Sequence, residues 1–413
     1  MTARRARGPL RHGRFRIFLG ARFTSLLGSA IAPIALVFAV LDLSDSPSAV
    51  GIVLAARGVP IVAFLLFGGV LADRLPRQVV LVVSNGACFF TQGVAATLLI
   101  TGQAQVWHLV IIEALNGTAA AFTFPAVAGI VPQLVERGEL QQANALSGMA
   151  RNVAQIGGAS AGGAIVAVFS SGVGLAVDAA SFAVAALLLA KLDLPPMPRA
   201  GESSVLAELA EGWTEFIARQ WVWVVVAGFC LLNAIQSGAV GTLGPVIADD
   251  TFGRAGWGLV LAAESAGLAV GTVVMLRYRP QRPMVAGMVG MFGFVPVLFA
   301  LGVQPHLALL IPFALLAGGG ISVFGISWET ALQQHIPADK LSRVFSYDAL
   351  GSFVAIPIGQ VVAGPLAESF GLRDVLTVGA LLYAVVVALV LADRSVRALR
   401  RADEGGAQTA LDH

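Results

Sequence analysis

The chain counts 413 residues, 57% of them hydrophobic and only 12% charged, at a mean hydropathy of +0.83. That balance excludes a soluble domain of this length and marks an integral membrane protein. The formal net charge of +2 leaves no basic surface for nucleic acid, so none is expected as a partner.

A helix needs about 20 apolar residues to cross roughly 30 Å of hydrocarbon. Twelve such spans are predicted, at 17–41, 48–72, 78–101, 106–131, 145–169 and 173–190, then at 221–247, 257–276, 283–301, 306–327, 344–367 and 374–392. The N-terminal MTARRARGPLRHGRFR has the charge of a signal-peptide head. The apolar run behind it is too long for one and already holds Arg22, so a retained first helix is expected. Cys88 and Cys230 both fall inside spans and say nothing about disulfides.

Positive charge collects in alternate gaps, at Arg4, Arg5, Arg74, Arg77, Arg137, Arg277, Arg282, Lys340, Arg343 and Arg394 among others. The opposite gaps offer only Arg254 and Arg373. The bias predicts that both termini face the cytoplasm. The loop GGVLADRLPRQ (68–78) then joins the second and third helices on the cytoplasmic side.

The chain repeats itself at an offset of about 201 residues, too long a period for a solenoid. Pairing Leu140 with Leu341 sets Gln133 on Gln334, Gly117 on Gly318, Gly158 on Gly359 and Gly163 on Gly364. The fold class expected is all-α and integral to the membrane, with two pseudo-symmetric six-helix bundles. They cover 1–190 and 221–392, joined by a linker at 191–220 with a Pro-containing break and an amphipathic helix, and followed by a tail at 393–413. The linker reads as a tether on the cytoplasmic face.

GGVLADRLPRQ resembles the signature loop of the major facilitator superfamily, usually written G-x-L-A-D-R-x-G-R-K. Gly69, Leu71, Ala72, Asp73, Arg74 and Arg77 match it, whereas Pro76 and Gln78 depart from it and leave a stiffer turn with one positive charge fewer. GIVLAARGVP (51–60) and FPAVAGIVPQLVERGELQQANALSG (124–148) are similar to the bacterial drug and siderophore exporters of that superfamily, the macrolide-efflux and enterobactin-exporter branch. AQIGGASAGG (154–163) resembles the exporters' fifth-helix motif: Gly158, Gly162 and Gly163 match, while Ala154 and Ala159 replace a Gly and a Pro. Small residues at that spacing let helices approach and slide. The resemblance implies an exporter that works by alternating access, with Asp73 latching the two bundles on the inner side. There a carboxylate favours a helix N-terminus, and Arg74 and Arg77 hold the loop to acids or lipid phosphates.

Charges within the spans need a partner or a role, since each costs about 3 kcal/mol at the bilayer centre. Arg57 and Glu113 lie about 13 Å deep at ~1.5 Å per residue, on neighbouring helices, so an ion pair between them is expected. It reads equally as a permanent pair or as one opened by protonation. Glu264 has no arginine at its depth, which suits a proton carrier. Asp178 is expected near the outer surface, against backbone or water, and Arg22 near enough to the inner one to snorkel. Helices one, four, seven and ten line the cavity in this superfamily. The resemblance therefore nominates Arg22, Ser25, Asn116, Asn233, Gln236, Trp328 and Glu329, with Glu113 and Ser327, beside a wall of Phe122, Phe124, Phe229 and Phe324.

No enzymatic constellation is present. The five histidines, His12, His108, His306, His335 and His413, have no metal-site spacing, and neither G-x-S-x-G nor a Walker loop occurs. No cofactor and no metal are expected. The partners expected are a small amphiphilic substrate, protons and membrane lipids, handled by a monomer. Uptake of a metabolite, or sensing without transport on the same fold, are the rival readings.

Overall fold

The computed structural model describes residues 5–74, 76–136, 139–192, 213–278, 280–336 and 338–400. A 3-10 segment, Arg5–Arg11, leads into α1 (Gly13–Leu43), α2 (Pro47–Arg74), α3 (Arg77–Ile100), α4 (Val106–Ala121), α5 (Thr123–Leu134), α6 (Leu140–Val168) and α7 (Ser171–Ala190). The second half holds α8 (Gln220–Gln236), a π-helical stretch Ser237–Leu243, α9 (Gly244–Asp250), α10 (Gly253–Arg277), α11 (Pro283–Met291), α12 (Val295–Val303) and α13 (Leu307–His335). It ends with α14 (Ala338–Phe353), α15 (Ala355–Phe370), α16 (Leu372–Ala392) and α17 (Arg394–Ala398). No strand occurs among the described residues.

All twelve expected intervals are filled by helix. Among the described residues ten helical segments are long and apolar enough to cross a membrane. The fourth interval is divided into the apolar but shorter α4 and α5. The fifth, α6, is long but opens with Gln141, Gln142, Asn144, Arg151, Asn152 and Gln155.

Four interruptions coincide with prolines, although α1, α2, α13 and α15 continue through Pro33, Pro60, Pro312 and Pro365. Proline offers no N–H to the carbonyl four residues before it. Pro125 leaves the Ala121 carbonyl without its helical donor, and α4 stops there. Pro296 does the same to Phe292, where a 3-10 turn separates α11 from α12. Pro357 does so to Phe353, the last residue of α14, and Pro245 to Gly241 inside the π-helical stretch. Most of the 191–220 linker and of the 393–413 tail lies outside the described residues, although 213–217 is helical.

By contact the chain divides into two compact units. One comprises 1–202 with 240–262 and 360–369, the other 203–239, 263–359 and 370–413. In the first, α7 packs on α1 and α3, α6 on α1, and α2 on α4. One end of it is filled by Phe15, Phe18, Leu81, Ile130 and Leu189. Glycines set its closest approaches: Gly158 and Gly162 of α6 lie on α1, Gly163 meets Gly258 of α10, and Gly364 of α15 meets Ser48 of α2. In the second unit α11 packs on α13, α12 on α16, and α8 on α14 and α16. Phe229 stacks on Phe324 at 3.9 Å, Phe324 leads to Trp328, and Trp221 meets Trp328 edge-on.

Candidate functional site

In the first unit, α2, α3, α4 and α7 converge on a buried polar cluster. Arg57 Nη1 of α2 lies 3.9 Å from Glu113 Oε2 of α4, whose side chain is 1% exposed. Gln92 of α3 donates from Nε2 to the other Glu113 oxygen at 3.0 Å. One turn along α4, Asn116 donates to the Thr91 hydroxyl at 3.1 Å, which in turn donates to the Cys88 carbonyl. The sequence placed Arg57 and Glu113 at one depth, and the structure brings them together. Their separation makes an ion pair without a hydrogen bond, since Glu113 Oε2 has no donor.

Asp178 of α7 belongs to the same cluster. It is 0% exposed, and neither of its carboxylate oxygens accepts a hydrogen bond. It feels the charges of both Arg57 and Glu113. Expected against backbone or water near the outer surface, it is instead closed off from water by α1: Gly28 sits so close that a Cβ there would overlap Asp178 and Ser181. The cluster thus holds two buried carboxylates, of which Glu113 alone is within ion-pair distance of the Arg57 guanidinium.

Glu264 of α10 is half-buried in the second unit and has no ion pair or hydrogen bond among the described residues. The buried Tyr383 of α16, whose hydroxyl also lacks a partner, feels its charge. Gly318 of α13 presses on the Glu264 carbonyl, just as Gly117 of α4 presses on that of Arg57.

The other nominated residues distribute as follows. Ser25 is buried and donates to the Arg22 carbonyl at 3.2 Å, and Asn116 is fully buried in the Arg57 cluster. Asn233 donates to the Ser352 carbonyl at 2.9 Å, Gln236 is half-buried, and Glu329 is exposed. Trp328 donates from Nε1 to Asp348 Oδ2 at 2.9 Å, and Ser352 donates to the other Asp348 oxygen. Asp348 escaped the sequence reading although it lies inside the predicted span 344–367, because that span is not among the helices the resemblance assigns to the cavity. The side chains of Gly69, Asp73, Arg74 and Phe124 lie outside the described ones, and Arg77 is half-buried at the start of α3.

Two further groupings join residues from distant parts of the chain. Arg254 pairs with Asp42 at 2.6 Å and with Asp249 at 2.7 Å, and lies 4.8 Å above the Phe38 ring. Ser171 donates to the second Asp42 oxygen at 3.2 Å. Arg22 of α1 and Arg151 of α6 line a cavity of about 210 Å³ whose walls include Phe18, Leu26, Val127 and Val131. Among the described residues no three His, Cys, Asp or Glu side chains gather as a metal site.

Similarity to known proteins agrees with this architecture. Residues 5–409 match the family described as "Transmembrane secretion effector", MFS_3. The chain is 26% identical over 395 residues to the enterobactin exporter EntS of Shigella dysenteriae serotype 1 (strain Sd197), covering 92% of this chain and 93% of that one. It is 27% identical to EntS of Escherichia coli O1:K1 / APEC over the same shares. Among solved structures, a bacterial homologue of the human lysosomal transporter Spinster superposes with a TM-score of 0.75 at 15% identity, covering 94% of this chain and 98% of that one. The nucleoside transporter NupG does so with 0.72 at 14%, covering 92% and 98%. The helical architecture, the repeat and the family match over nearly the whole length identify the chain as a member of the MFS_3 family of membrane transporters, with the major facilitator fold.

Proposed function

We propose that this transporter exports small amphiphilic molecules, a siderophore, drug or secondary metabolite, by alternating access in exchange for protons. The observation that supports it most is a full-length likeness to enterobactin exporters combined with carboxylates inside the membrane that nothing fully compensates. Arg57, Glu113 and Asp178 sum to zero charge only with one proton bound, and a buried cluster favours neutrality. Glu264 is a second acceptor without a counter-charge. In this reading the protein works as a monomer in the inner membrane, with both termini cytoplasmic, bundles at 1–190 and 221–392, and lipid phosphates against the basic loops. Asp73, with Gly69, Arg74 and Arg77, serves as the inner latch. Gly158, Gly162 and Gly163 are the sliding surface, and Asn233, Gln236, Trp328 and Glu329 line the cargo path.

Energised everted vesicles test it. Enterobactin is expected to accumulate inside, and nigericin, which collapses the pH gradient, to stop it. Accumulation that ignores nigericin overturns proton exchange. Movement only in right-side-out vesicles makes the protein an importer, and binding without movement makes it a sensor.

A further inference from the structure

The cavity between α1, α5 and α6 is built from the first unit alone. Two of the residues lining it are arginines, Arg22 and Arg151, close enough to repel one another. Neither makes an ion pair or hydrogen bond with any described residue, whereas Arg11, Arg57, Arg219 and Arg254 each pair with an acid. Among the described lining residues the one hydroxyl, that of Ser147, donates to the Ala143 carbonyl. The remaining described lining is apolar, with Phe18, Leu26, Val127 and Val131 on the same space.

Arg22 is half-buried and Arg151 exposed, and two like charges side by side without a counter-ion are unfavourable in a way that an anion bound between them relieves. A guanidinium presents a planar fork of donors that matches a carboxylate, sulfonate or phosphate, and two forks can hold one such group from both sides. The apolar wall asks for a hydrophobic body attached to that head. A volume of about 210 Å³ holds the head and the atoms next to it, with the remainder of a larger molecule outside.

We infer that Arg22 and Arg151 form the head-group site for an anionic amphiphile, and that the cargo of this transporter is an organic acid or its equivalent. The inference rests on the reading of the chain as an exporter of small amphiphiles and narrows its substrate class. A neutral or cationic amphiphile has no counter-charge in this cavity and binds there more weakly.

The test uses the full-length protein in detergent and 2-naphthoate as probe, with 2-naphthamide and 2-naphthylmethylammonium as its neutral and cationic counterparts. The naphthoate is expected to bind the parent at least about tenfold more tightly than either counterpart, the usual contribution of a charge-assisted contact. Arg22→Gln and Arg151→Gln should each lose that preference, and Arg22→Lys should retain part of it. Without probe, Arg22→Gln should melt no lower than the parent, because it relieves repulsion; a structural arginine would instead lower the melting temperature. Equal binding of all three probes, or naphthoate binding that survives both glutamine variants, overturns the inference.

A lipid is the other source of such a head. Phosphatidylglycerol that excludes naphthoate and stabilises the parent but not Arg22→Gln, with no naphthoate counterflow in phosphatidylcholine vesicles, would assign the site to lipid and overturn the cargo. Counterflow needs no proton gradient, so naphthoate exchange without proton-driven accumulation leaves this inference standing and sinks proton coupling. Conversely, proton-driven enterobactin export that is unchanged in both glutamine variants, with no naphthoate binding, sinks the inference and leaves the exporter reading intact.

Discussion

Arg57 and Glu264 hold equivalent positions in the two halves: the carbonyl of each meets a glycine of the neighbouring helix, Gly117 and Gly318, where a Cβ would overlap it. The two glycines are related by the 201-residue repeat, and GIVLAARG (51–58) lies over GLVLAAES (258–265), which sets Arg57 on Glu264. One duplicated position therefore carries a cation in one half and an acid in the other. The glycine beneath it keeps the two helices close enough to hold that charge inside the bundle.

The packing is testable apart from transport. A backbone carbonyl cannot swing aside as a side chain can, so Gly117→Ala and Gly318→Ala should each cost about 1–3 kcal/mol through overpacking. Gly93, in α3, has open space where its Cβ would stand, and Gly93→Ala should be neutral or stabilise by up to ~1 kcal/mol. Thermal unfolding in detergent compares the three. Equal tolerance at all three positions would remove the close contact from the account.

The Arg57–Glu113 pair predicts a pattern in a double-mutant cycle. Arg57→Met leaves Glu113 buried with only the Gln92 amide and should cost about 3–5 kcal/mol, the usual penalty of stranding a buried charge. Combining it with Glu113→Leu should recover part of that loss, because the stranded charge goes too. Strictly additive losses would show that the two side chains do not depend on one another.

Arg254 offers the contrasting case. Its partners Asp42 and Asp249 are 46% and 32% exposed, so Arg254→Gln should cost no more than ~1 kcal/mol. Salt screens exposed charges and hardly touches buried ones. In 0.5 M NaCl, about five times the salt at which the screening length is ~10 Å, the Arg254→Gln deficit should shrink while that of Arg57→Met persists. A deficit at Arg254 that ignores salt would assign its effect to packing on Phe38.

Much of this was legible in the sequence because hydrocarbon is an undemanding reader. Twelve apolar runs, a repeat and a loop motif are linear signals, and so were the depths of Arg57 and Glu113. What stayed hidden depends on three dimensions. Asp178 looked superficial by its place in α7, but Gly28 of α1 covers it. Arg151 is a lone charge in the polar opening of α6 and acquires meaning only beside Arg22, 129 residues earlier. The Arg57–Glu264 equivalence was written in the sequence, yet at an offset of 207 rather than 201, since the first half holds more residues between this position and its glycine, chiefly between the start of α3 and the start of α4.

The latch proposal makes a kinetic prediction. Asp73→Asn removes a charge without exposing apolar surface, so membrane abundance and melting temperature should match the parent while enterobactin export slows. Equal export rates at matched abundance would leave Asp73 an ordinary loop acid.

Glu264 decides the energetic question. Under the proposed exporter reading, energy comes from an ion gradient or from the cargo's own, and exchange for protons needs one group that binds a proton in one state and releases it in the other. Glu264 is suited by its surroundings. It has no ion pair or hydrogen bond among the described residues, and its carbonyl is fixed against Gly318. The Arg57 cluster keeps a guanidinium against its acids and so has less to gain from each proton. Glu264→Gln preserves shape and fixes the neutral form. It should abolish uphill enterobactin accumulation in energised vesicles while leaving counterflow, which needs no proton cycle, close to the parent rate. Loss of both would mean that the substitution damages the cargo path; retention of uphill transport would move the proton to Glu113 and Asp178.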